Sequence, residues 1–432
     1  MMHDLLQKIE SKNVKVGVIG MGYVGLPLAV EIAKSGIQVV GIDVVETRVN
    51  AINSGKSYIL DVPSEALADQ VCRGRFAAVL DFQVVRTLDA IIICVPTPLN
   101  KTKEPDLGMV VSTVERIIEN RRENQLVVLE STTYPGTTEE IILPKFQDSG
   151  AIVGVDFFLA FSPERVDPGN SIYKTSNIPK VIGGVTPLCG QVASKLYSNF
   201  IETIVRVSSS QTAEMVKLLE NTFRSVNIGL VNEIALICDH LGVNVWEVIE
   251  AAASKPFGFM PFYPGPGLGG HCIPIDPLYL SWKLKPLNFR ARFIELANEI
   301  NSGMPRYVVN KINDALNEST KAIKNAKVLI VGVSYKKDLN DIRESPALDI
   351  IQLLRNRGAQ VAFHDPYVPE IWLDGLLLEA VSLDRGLEGV DCTVIVTNHS
   401  SINYRKVVEG SPLVIDTRNA TKGISNSKIF KL

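Results

Sequence analysis

The residues of this 432-residue chain best suited to chemistry lie in a glycine-rich segment, GPGLGGHCIPID, at positions 265–276. Glycines let a backbone approach a ligand closely, and core packing explains a cysteine there poorly. The thiolate of Cys272 would be a strong nucleophile. Asp276 follows at i+4, so a helix starting near Cys272 would place both side chains on one face and favour the thiolate. His271 is interpreted as a loop residue, not as a base.

A dinucleotide site is indicated by Gly20, Gly22 and Gly25, which follow a predicted strand and open a predicted helix. The first permits a tight turn, the second lets the backbone approach a pyrophosphate, and the third allows close strand–helix packing. Asp43 ends the next strand, where an acid binds the adenosine ribose and disfavours a 2′-phosphate, so the predicted cofactor is NAD. Arg48 could contact the cofactor or lie in solvent.

Lys217 and Asn221 form a second candidate pair, four residues apart on a predicted helix and therefore on one face. In an NAD enzyme such a pair can polarise a substrate oxygen and stabilise its negative charge. An exposed helix face shows the same spacing, so the pair by itself leaves both interpretations open.

A cysteine beside a hydride-transfer site changes the expected product. An aldehyde formed from an alcohol can be trapped on the thiol, oxidised again to a thioester and hydrolysed to an acid, with two NAD reduced. Hydrolysis needs an activated water, so a carboxylate or polar group should converge on the same point.

The elements that position these residues form two α/β segments around a helical centre. Strands alternate with helices to about residue 205, which predicts a parallel sheet covered on both faces. A helix is expected over 208–241, with a capping box of Ser208 and Gln211 and a stop at Gly242, and Asn244 with Glu247 could open another. Residues 289–317 look helical, with a kink or a new start at Pro305.

The fold class is therefore α/β, with two Rossmann-like doubly wound domains joined by a central helical domain. The predicted domains are 1–205 for NAD binding, 206–320 for the helical centre with the catalytic loop, and 321–432 for the second Rossmann-like half. The predicted strands are 14–19, 38–42, 90–95, 126–130, 157–161, 326–333, 360–363, 392–396 and 413–415, with helices at 26–34 and 346–357.

The second α/β segment lacks the dinucleotide glycines, since lysines follow Gly332 where the remaining glycines should be. We expect it to bind another anionic group, such as a nucleotide diphosphate. Lys336, Lys337, Arg343 and Arg418 could donate to phosphates, and ordinary solvated charges remain the alternative.

Composition sets further limits. A net charge of −3 argues against a sequence-independent nucleic-acid binder, and no apolar run is long enough to span a bilayer. The six cysteines show no CxxC pair and no zinc-type spacing, so neither a metal site nor a disulfide framework is predicted. The N-terminus lacks a signal-peptide core, and we expect a cytoplasmic protein.

Seven motifs together resemble the UDP-glucose/UDP-N-acetylhexosamine 6-dehydrogenase family, and the likeness covers nearly the entire chain. In order they are GMGYVGLPLA, VPTPLN, ESTTYPGTT, SPERVDPG, KLLENTFRSVNIGLVNE, GPGLGGHCIPIDP and SYKKDLNDIRESP. The resemblance implies oxidation of a UDP-sugar by NAD, with the UDP-sugar bound by the domain at 321–432. It also implies a homodimer or higher homo-oligomer.

The resemblance also implies roles for individual residues. Cys272 matches the thioester nucleophile, Lys217 and Asn221 the oxyanion-stabilising pair, and Asp276 the carboxylate that supports the lysine and a bound water. Glu164 matches a glutamate of thioester hydrolysis, and Thr132 a water-binding threonine. The implied cofactor contacts are Gly20, Gly22, Tyr23, Val24, Gly25, Asp43, Arg48, Thr97, Ser131 and Arg343. The implied substrate contacts are Glu164, Arg165, Lys217, Asn221, Phe262, Tyr263, Gly265, Gly269, Lys336 and Arg418.

Two departures bear on the sugar. Pro168 stands where the UDP-glucose enzymes have a second glutamate, and SKPFGFMPFYPGPG contains no match for an arginine that some members send across a dimer interface. Both features resemble the N-acetylhexosamine branch, and the loop is most similar to enzymes acting on UDP-N-acetylglucosamine. The manno epimer and UDP-glucose stay open.

Two other functions share part of this pattern. A β-hydroxyacid dehydrogenase also uses Lys and Asn at this spacing, but it transfers one hydride and needs no cysteine. A catalytically inert NAD-binding scaffold or sensor would not need the set of Cys272, Lys217, Asn221 and Asp276.

Overall fold

The structure is a computed structural model that describes residues 2–59, 61–100, 104–167, 170, 172–270 and 272–432. The chain divides into two compact units, Met1–Glu220 and Asn221–Leu432. Each unit is built around its own sheet and its own hydrophobic core.

The first unit contains an eight-stranded sheet in the order β3-β2-β1-β4-β5-β6-β7-β8. All neighbouring strands are parallel except β6 and β7, which are antiparallel. The expectation of a parallel sheet is therefore wrong for β7 and β8, which run opposite to the other strands. The described residues between β6 and β7 form no helix that could make a parallel crossover. The strands are β1 (Lys15–Ile19), β2 (Gln38–Ile42), β3 (Phe76–Val79), β4 (Ala90–Ile93), β5 (Gln125–Leu129), β6 (Phe157–Phe161), β7 (Lys180–Gly184) and β8 (Ile204–Val207).

Helices cover both faces of this sheet, as predicted. In β4, Ile92 joins one core with Leu26 of the first crossover helix, whereas Ile91 joins the opposite core with Val110. Alternate side chains of a strand point to opposite faces, so both faces of β4 are buried. The helices are α1 (Met2–Glu10), α2 (Gly25–Lys34), α3 (Glu46–Asn53), α4 (Ser64–Cys72), α5 (Gly108–Asn120), α6 (Leu143–Asp148) and α7 (Pro187–Tyr197), with short 3-10 and π turns at Phe82–Thr87 and Thr137–Ile142.

The long helix α8 (Ser210–Leu241) begins in the first unit and ends in the second. Its first turn is capped by Ser209, whose hydroxyl accepts a hydrogen bond from the Thr212 amide at 3.1 Å, so the predicted capping box of Ser208 and Gln211 is wrong by one residue. Gly242 has φ +65° and ends the helix as predicted. Asn244 caps α9 (Val245–Ala253) by accepting from the Trp246 amide.

The helices α10 (Asp276–Leu284) and α11 (Arg292–Glu318) follow in the second unit, with a 3-10 turn at Lys285–Leu287 between them. Pro305 lies inside α11, so a single helix continues through it and no new helix starts there.

The second sheet has five strands, all parallel, in the order β10-β9-β13-β14-β15. A separate antiparallel hairpin of β11 and β12, which sequence analysis did not predict, follows β10. With the first sheet and the helices α8 to α11, this confirms the α/β class with two Rossmann-like parts and a helical centre, while the exact domain limits stay a prediction. The elements are β9 (Lys327–Val331), α12 (Pro346–Asn356), β10 (Gln360–His364), β11 (Glu370–Leu373), β12 (Leu376–Glu379), α13 (Leu383–Leu387), β13 (Cys392–Ile395), α14 (Tyr404–Gly410), β14 (Val414–Asp416) and β15 (Ile429–Lys431).

In the described part of the chain, no helix is both long enough and apolar enough to cross a bilayer.

Gly183 of β7 generates a prediction about stability. A Cβ added there would overlap with the backbone carbonyl of Ser209, directly before α8. Gly183→Ala should therefore lower the free energy of unfolding by about 1–3 kcal/mol, measured by urea denaturation. Gly303→Ala is the control, because an added Cβ meets nothing within 4 Å in α11. It should stabilise by about 0.5–1 kcal/mol, and equal effects of the two changes would contradict the packing argument.

Candidate active site

The glycine loop between β1 and α2 has the shape that a dinucleotide requires. Gly20 has φ +93°, and a Cβ on Gly25 would overlap with the Gly20 carbonyl. A Cβ on Gly22 would meet nothing within 4 Å, so this part of the loop is open to a ligand. Tyr23 is 43% exposed, and Val24 directly precedes the first residue of α2. The residues present thus fit a pyrophosphate held on backbone amides.

Asp43 is buried at the end of β2 and fixes this loop. Its carboxylate accepts hydrogen bonds from the amides of Met21 at 2.8 Å and Val45 at 2.9 Å, and Arg48 Nη1 lies 3.4 Å from Oδ2. A carboxylate has about four acceptor positions, so capacity for a ribose diol remains.

Tyr58 also holds the loop, and sequence analysis missed it because a tyrosine in a polar turn carries no signal. Its hydroxyl donates to the Met21 carbonyl at 2.6 Å. Burial, and then the charge of Asp43, raise the pKa of Tyr58 to about 12, so the hydroxyl remains a donor at neutral pH.

The loops that follow β4 and β5 are tied together by two hydroxyl groups. Thr97 donates to the Thr132 carbonyl at 2.6 Å, and Ser131 donates to the Val95 carbonyl at the same distance. Parallel strands end at the same edge of a sheet, so these predicted cofactor and water-binding residues meet at the edge where ligands bind in such folds.

Glu164 lies in the loop after β6 and is held on both carboxylate oxygens. Oε1 accepts from the amides of Arg165 at 2.7 Å and Val166 at 2.6 Å, and Oε2 lies 3.3 Å from Lys180 Nζ. Burial would raise the pKa of Glu164, but the Lys180 ammonium, the Val166 amide and the charge of Lys217 together outweigh it and lower that pKa. The group is therefore a carboxylate at neutral pH.

Lys180 also pairs with Glu130, which was predicted only as the end of a strand. Lys180 Nζ lies 2.9 Å from Glu130 Oε2, and the Tyr197 hydroxyl donates to Glu130 Oε1. Burial raises the pKa of Glu130 to about 7, although the Lys180 charge lowers it. Sequence analysis missed Lys180 and Tyr197, since a lysine before an apolar run resembles an ordinary strand start.

Lys217 lies on α8 and contacts Glu164, so the two predicted catalytic residues lie together. Its Nζ donates to the Glu164 backbone carbonyl at 2.5 Å, which leaves donor capacity on the ammonium. Arg165, predicted to bind substrate, is engaged within the first unit, because its guanidinium pairs with Glu220 and donates to the Pro179 carbonyl at 2.6 Å.

In the second unit, Asn221, Asp276 and Cys272 are brought together. The Asn221 amide donates to Asp276 Oδ2, and the Asp276 amide donates to the Cys272 carbonyl at 2.8 Å. The helix α10 begins at Asp276, so Cys272 lies in the turn before the helix and not in its first turn. Cys272 is partly exposed. His271 and Pro168 lie outside the described residues.

The segment before Cys272 is anchored on the helical centre. Phe262 packs edge-on against Phe223 with ring centroids 5.8 Å apart, and Tyr263 stacks on Trp246 at 6.3 Å. These aromatic contacts fix the start of the loop and leave Tyr263 half exposed.

A buried amide network fixes the following glycines. The Gly265 amide donates to Asn232 Oδ1 at 2.9 Å, and Asn232 Nδ2 donates to Asn301 Oδ1 at 2.8 Å. A Cβ at Gly269 would overlap with Tyr335 Cβ and the Glu344 carbonyl, so this close approach requires glycine. A Cβ at Gly265 would require the Arg418 guanidinium to shift.

All four predicted cations lie in the second unit, and the contacts of three of them, Arg418, Arg343 and Lys336, are as follows. The Arg418 guanidinium donates through Nε to the Val396 carbonyl at 3.0 Å, and burial lowers its pKa to about 10, which leaves it charged at neutral pH. Arg343 pairs with Asp341 at 2.6 Å. The Lys336 backbone carbonyl accepts from Ser334 at 2.9 Å. Arg418 is the one of the three best placed to bind an anion beside the glycine loop.

In the second sheet, as in the first, an aspartate accepts hydrogen bonds from the turn after the first strand, but here a histidine also binds the aspartate. Asp365, after β10, accepts from the amides of Val333 at 2.7 Å and Ser334 at 3.2 Å, but it also contacts His399 Nε2 at 3.0 Å. His399 Nδ1 accepts from the Asp338 amide, so this buried imidazole is a neutral donor to Asp365. The acid is occupied, which agrees with the absence of the dinucleotide glycines. Sequence analysis missed both residues.

The chain matches three domains of one family. These are the NAD binding domain, the central domain and the UDP binding domain of the UDP-glucose/GDP-mannose dehydrogenase family, over residues 14–201, 211–303 and 329–423.

Individual relatives cover most of the chain. It is 38% identical over 418 residues to the UDP-N-acetyl-D-mannosamine dehydrogenase of Methanococcus maripaludis, covering 94% of this chain and 92% of the relative. It is 36% identical to the UDP-N-acetyl-D-glucosamine 6-dehydrogenase of Pseudomonas aeruginosa over 83% of this chain and 84% of that protein. The solved UDP-D-ManNAc dehydrogenase of Pyrococcus horikoshii superposes with a TM-score of 0.89 at 35% identity, covering 96% and 98% of the two chains. The chain therefore belongs to the UDP-glucose/GDP-mannose dehydrogenase family and is an NAD-dependent nucleotide-sugar dehydrogenase.

Proposed function

We propose that this enzyme oxidises the C6 alcohol of a UDP-N-acetylhexosamine to the uronic acid through a thioester on Cys272. The observation that carries the proposal is the arrangement of Cys272 in the turn directly before Asp276, whose carboxylate holds the Asn221 amide. Cys94, Cys189, Cys238 and Cys392 are buried, as expected of inert core thiols.

The chemistry balances as two hydride transfers and one hydrolysis. Bound NAD accepts a hydride in each oxidation. The alcohol first loses a hydride and a proton to give an aldehyde, and the Cys272 sulfur then adds to its carbonyl carbon. The thiohemiacetal loses a second hydride and a proton, and water displaces the thiol to release a carboxylate. One alcohol, two NAD⁺ and one water therefore give one carboxylate, two NADH and three protons.

The side chains of this enzyme supply the charge that these steps require. Lys217 and Asn221 lie four residues apart on α8 and would stabilise the developing oxyanion. Asp276 orients Asn221 through its hydrogen bond. Glu164, ionised at neutral pH, and Thr132 would activate the water that cleaves the thioester.

UDP-N-acetylglucosamine is the favoured substrate because of the sequence of the loop before Cys272. Relatives named for the manno and the gluco epimer both cover most of the chain. By similarity to relatives alone, UDP-N-acetylmannosamine is therefore supported as well as UDP-N-acetylglucosamine. UDP-glucose is a third candidate, since a solved UDP-glucose dehydrogenase from Pyrobaculum islandicum has a TM-score of 0.84 at 27% identity. Action in the cytoplasm stays a prediction.

Substrate comparison tests the proposal directly. NADH should form with UDP-N-acetylglucosamine in preference to UDP-N-acetylmannosamine, UDP-glucose and UDP-galactose, and two NADH should appear per sugar consumed. The measurement is absorbance of NADH together with quantification of the uronic acid. One NADH per sugar would point to a single oxidation, as in a β-hydroxyacid dehydrogenase, and no turnover on the whole panel would point to a scaffold.

Replacement of the nucleophile gives the second test. Cys272→Ser should lower acid formation by about 1000-fold or more while UDP-sugar binding, measured by calorimetry, is retained. Cys72→Ser is the matched control, because Cys72 is exposed at the end of α4 and should leave turnover unchanged. Full turnover by the Cys272 variant would exclude the covalent step.

We also propose a homodimer or higher homo-oligomer formed through α8. Four apolar side chains along its second-unit portion are strongly exposed, at spacings of seven, seven and four that place them on one face. Such a stripe marks an interaction surface. The four are Phe223 (49%), Leu230 (52%), Ile237 (46%) and Leu241 (70%).

Light scattering after size exclusion should give a mass of at least twice the 47.3 kDa of one chain. Ile237→Glu should lower that mass, because it places a charge in the apolar stripe. Ile152→Glu, at another exposed isoleucine, should not change it. A monomer in the unmodified enzyme would exclude the proposed assembly.

A further inference from the structure

Lys180 is a buried cation at the edge of the first sheet that none of the sequence motifs explains. Its side chain is 5% exposed, and its Nζ lies 2.9 Å from Glu130 Oε2 and 3.3 Å from Glu164 Oε2. The two carboxylate side chains are 0% and 11% exposed. Charges are tolerated at such burial only when they are paired, so removing this ammonium would leave two buried acids without their common counter-ion.

The antiparallel direction of β7 is the reason that Lys180 can reach Glu164. In a parallel sheet the first residue of a strand lies at the edge opposite the loops that bind ligands. Phe161, the last residue of β6, pairs with Gly183 of β7, so the start of β7 extends beyond the end of β6. Lys180 therefore lies at the edge where Glu164 follows β6.

Several titratable and charged groups face Glu164. Lys180 is the cation nearest to the Glu164 carboxylate, with its Nζ 3.3 Å from Oε2. Burial would raise the pKa of Glu164, and the charge of Lys180 is the largest of the effects that lower it. Burial, followed by Glu130 and Glu164, also raises the pKa of Cys94 well above its ordinary value, so that thiol stays neutral. The groups, by element, are Cys94 after β4, Glu130 after β5, Arg165 beside Glu164, Lys180 on β7, Tyr197 on α7 and Lys217 on α8. Glu220 on α8 pairs with Arg165.

Glu164 also connects Lys180 to Lys217. Its side chain accepts from the two following amides and from Lys180, which fixes the peptide on which it lies. The carbonyl of the same residue accepts from Lys217 Nζ at 2.5 Å. A shift of the Glu164 side chain would therefore displace the acceptor that orients the Lys217 ammonium.

We infer that Lys180 is a positioning residue for the oxidation and the hydrolysis, because it holds the Glu164 carboxylate and the Glu164 peptide that orients Lys217. The inference rests on the proposed function, in which Glu164 acts in hydrolysis of the Cys272 thioester. Lys180 itself touches no reacting atom, and its effect passes through Glu164.

The expected consequence is a change in pH dependence. Burial raises the pKa of Glu164 and the Lys180 ammonium lowers it. Without the ammonium, the pKa of Glu164 should therefore rise. A carboxyl group with a raised pKa is protonated up to a higher pH. Hydrolysis should therefore be lost as the pH falls through the new value and should recover as the pH rises. A purely structural loss would lower activity equally at all pH values.

Lys180→Met tests this in the full-length enzyme, assayed with the UDP-sugar that the wild type turns over fastest. The acid limb of the profile of kcat against pH should move up by about one pH unit or more. On that limb, acid formation should fall about tenfold or more, and the acylated Cys272 should accumulate in the intact-protein mass spectrum. Lys195→Met is the matched control, because Lys195 forms an exposed pair with Glu10, and its profile should equal that of the wild type.

A second variant tests the same inference if Lys180→Met does not fold. Glu130→Gln with Lys180→Met removes one buried acid together with the cation, and Tyr197 can still donate to the amide oxygen. Its acid limb should move in the same direction. An unshifted limb in either folded variant would overturn the inference, and failure of both to fold would assign Lys180 to stability and overturn it too.

Failure of the proposed function has a different signature. If the wild type forms no acid from any UDP-sugar, or forms it without an acylated Cys272, the function itself is wrong. If the wild type forms acid through Cys272 and the profile of Lys180→Met superposes on it, only the role of Lys180 is wrong.

Discussion

The carboxyl edge of the first sheet is the constraint on which the site depends. The loops after β1, β4, β5 and β6 all emerge there because these strands are parallel, and each carries part of the predicted chemistry. Short bonds then fix the loops to one another, as between Thr97 and Thr132 and between Asp43 and Met21. β7 and β8 run the other way, and β7 contributes its first residue to this edge.

Buried charges organise the part of this edge around Glu164. Lys180 joins Glu130 to Glu164, and Glu164 in turn orients Lys217 through its carbonyl. Each member is satisfied by the next, which is the condition under which an ionic network can be buried. The consequence is that an acid proposed to act on a thioester remains ionised at neutral pH although it is almost fully enclosed.

The two sheets share one arrangement of an aspartate and a turn. In each Rossmann-like part, an aspartate after the second strand accepts hydrogen bonds from the turn after the first strand. These aspartates are Asp43 in the first unit and Asp365 in the second. His399 occupies Asp365, whereas Asp43 keeps free acceptor capacity. In the second unit the cationic Arg418 lies beside Gly265, and its role in recognising negative charge stays a prediction.

The sequence by itself determined the features that depend on contiguous residues. The glycine turn with Asp43, the fold class, the long helix carrying Lys217 and Asn221, and the loop of Cys272 are local patterns whose backbone geometry follows from residue type and spacing. Tertiary structure alone decided the rest. The direction of β7 depends on a connection without a helix, and the roles of Lys180, Tyr58 and His399 depend on partners far away in the chain. Burial gives these polar residues their importance, and burial is a property of the folded chain that no local pattern of residues encodes.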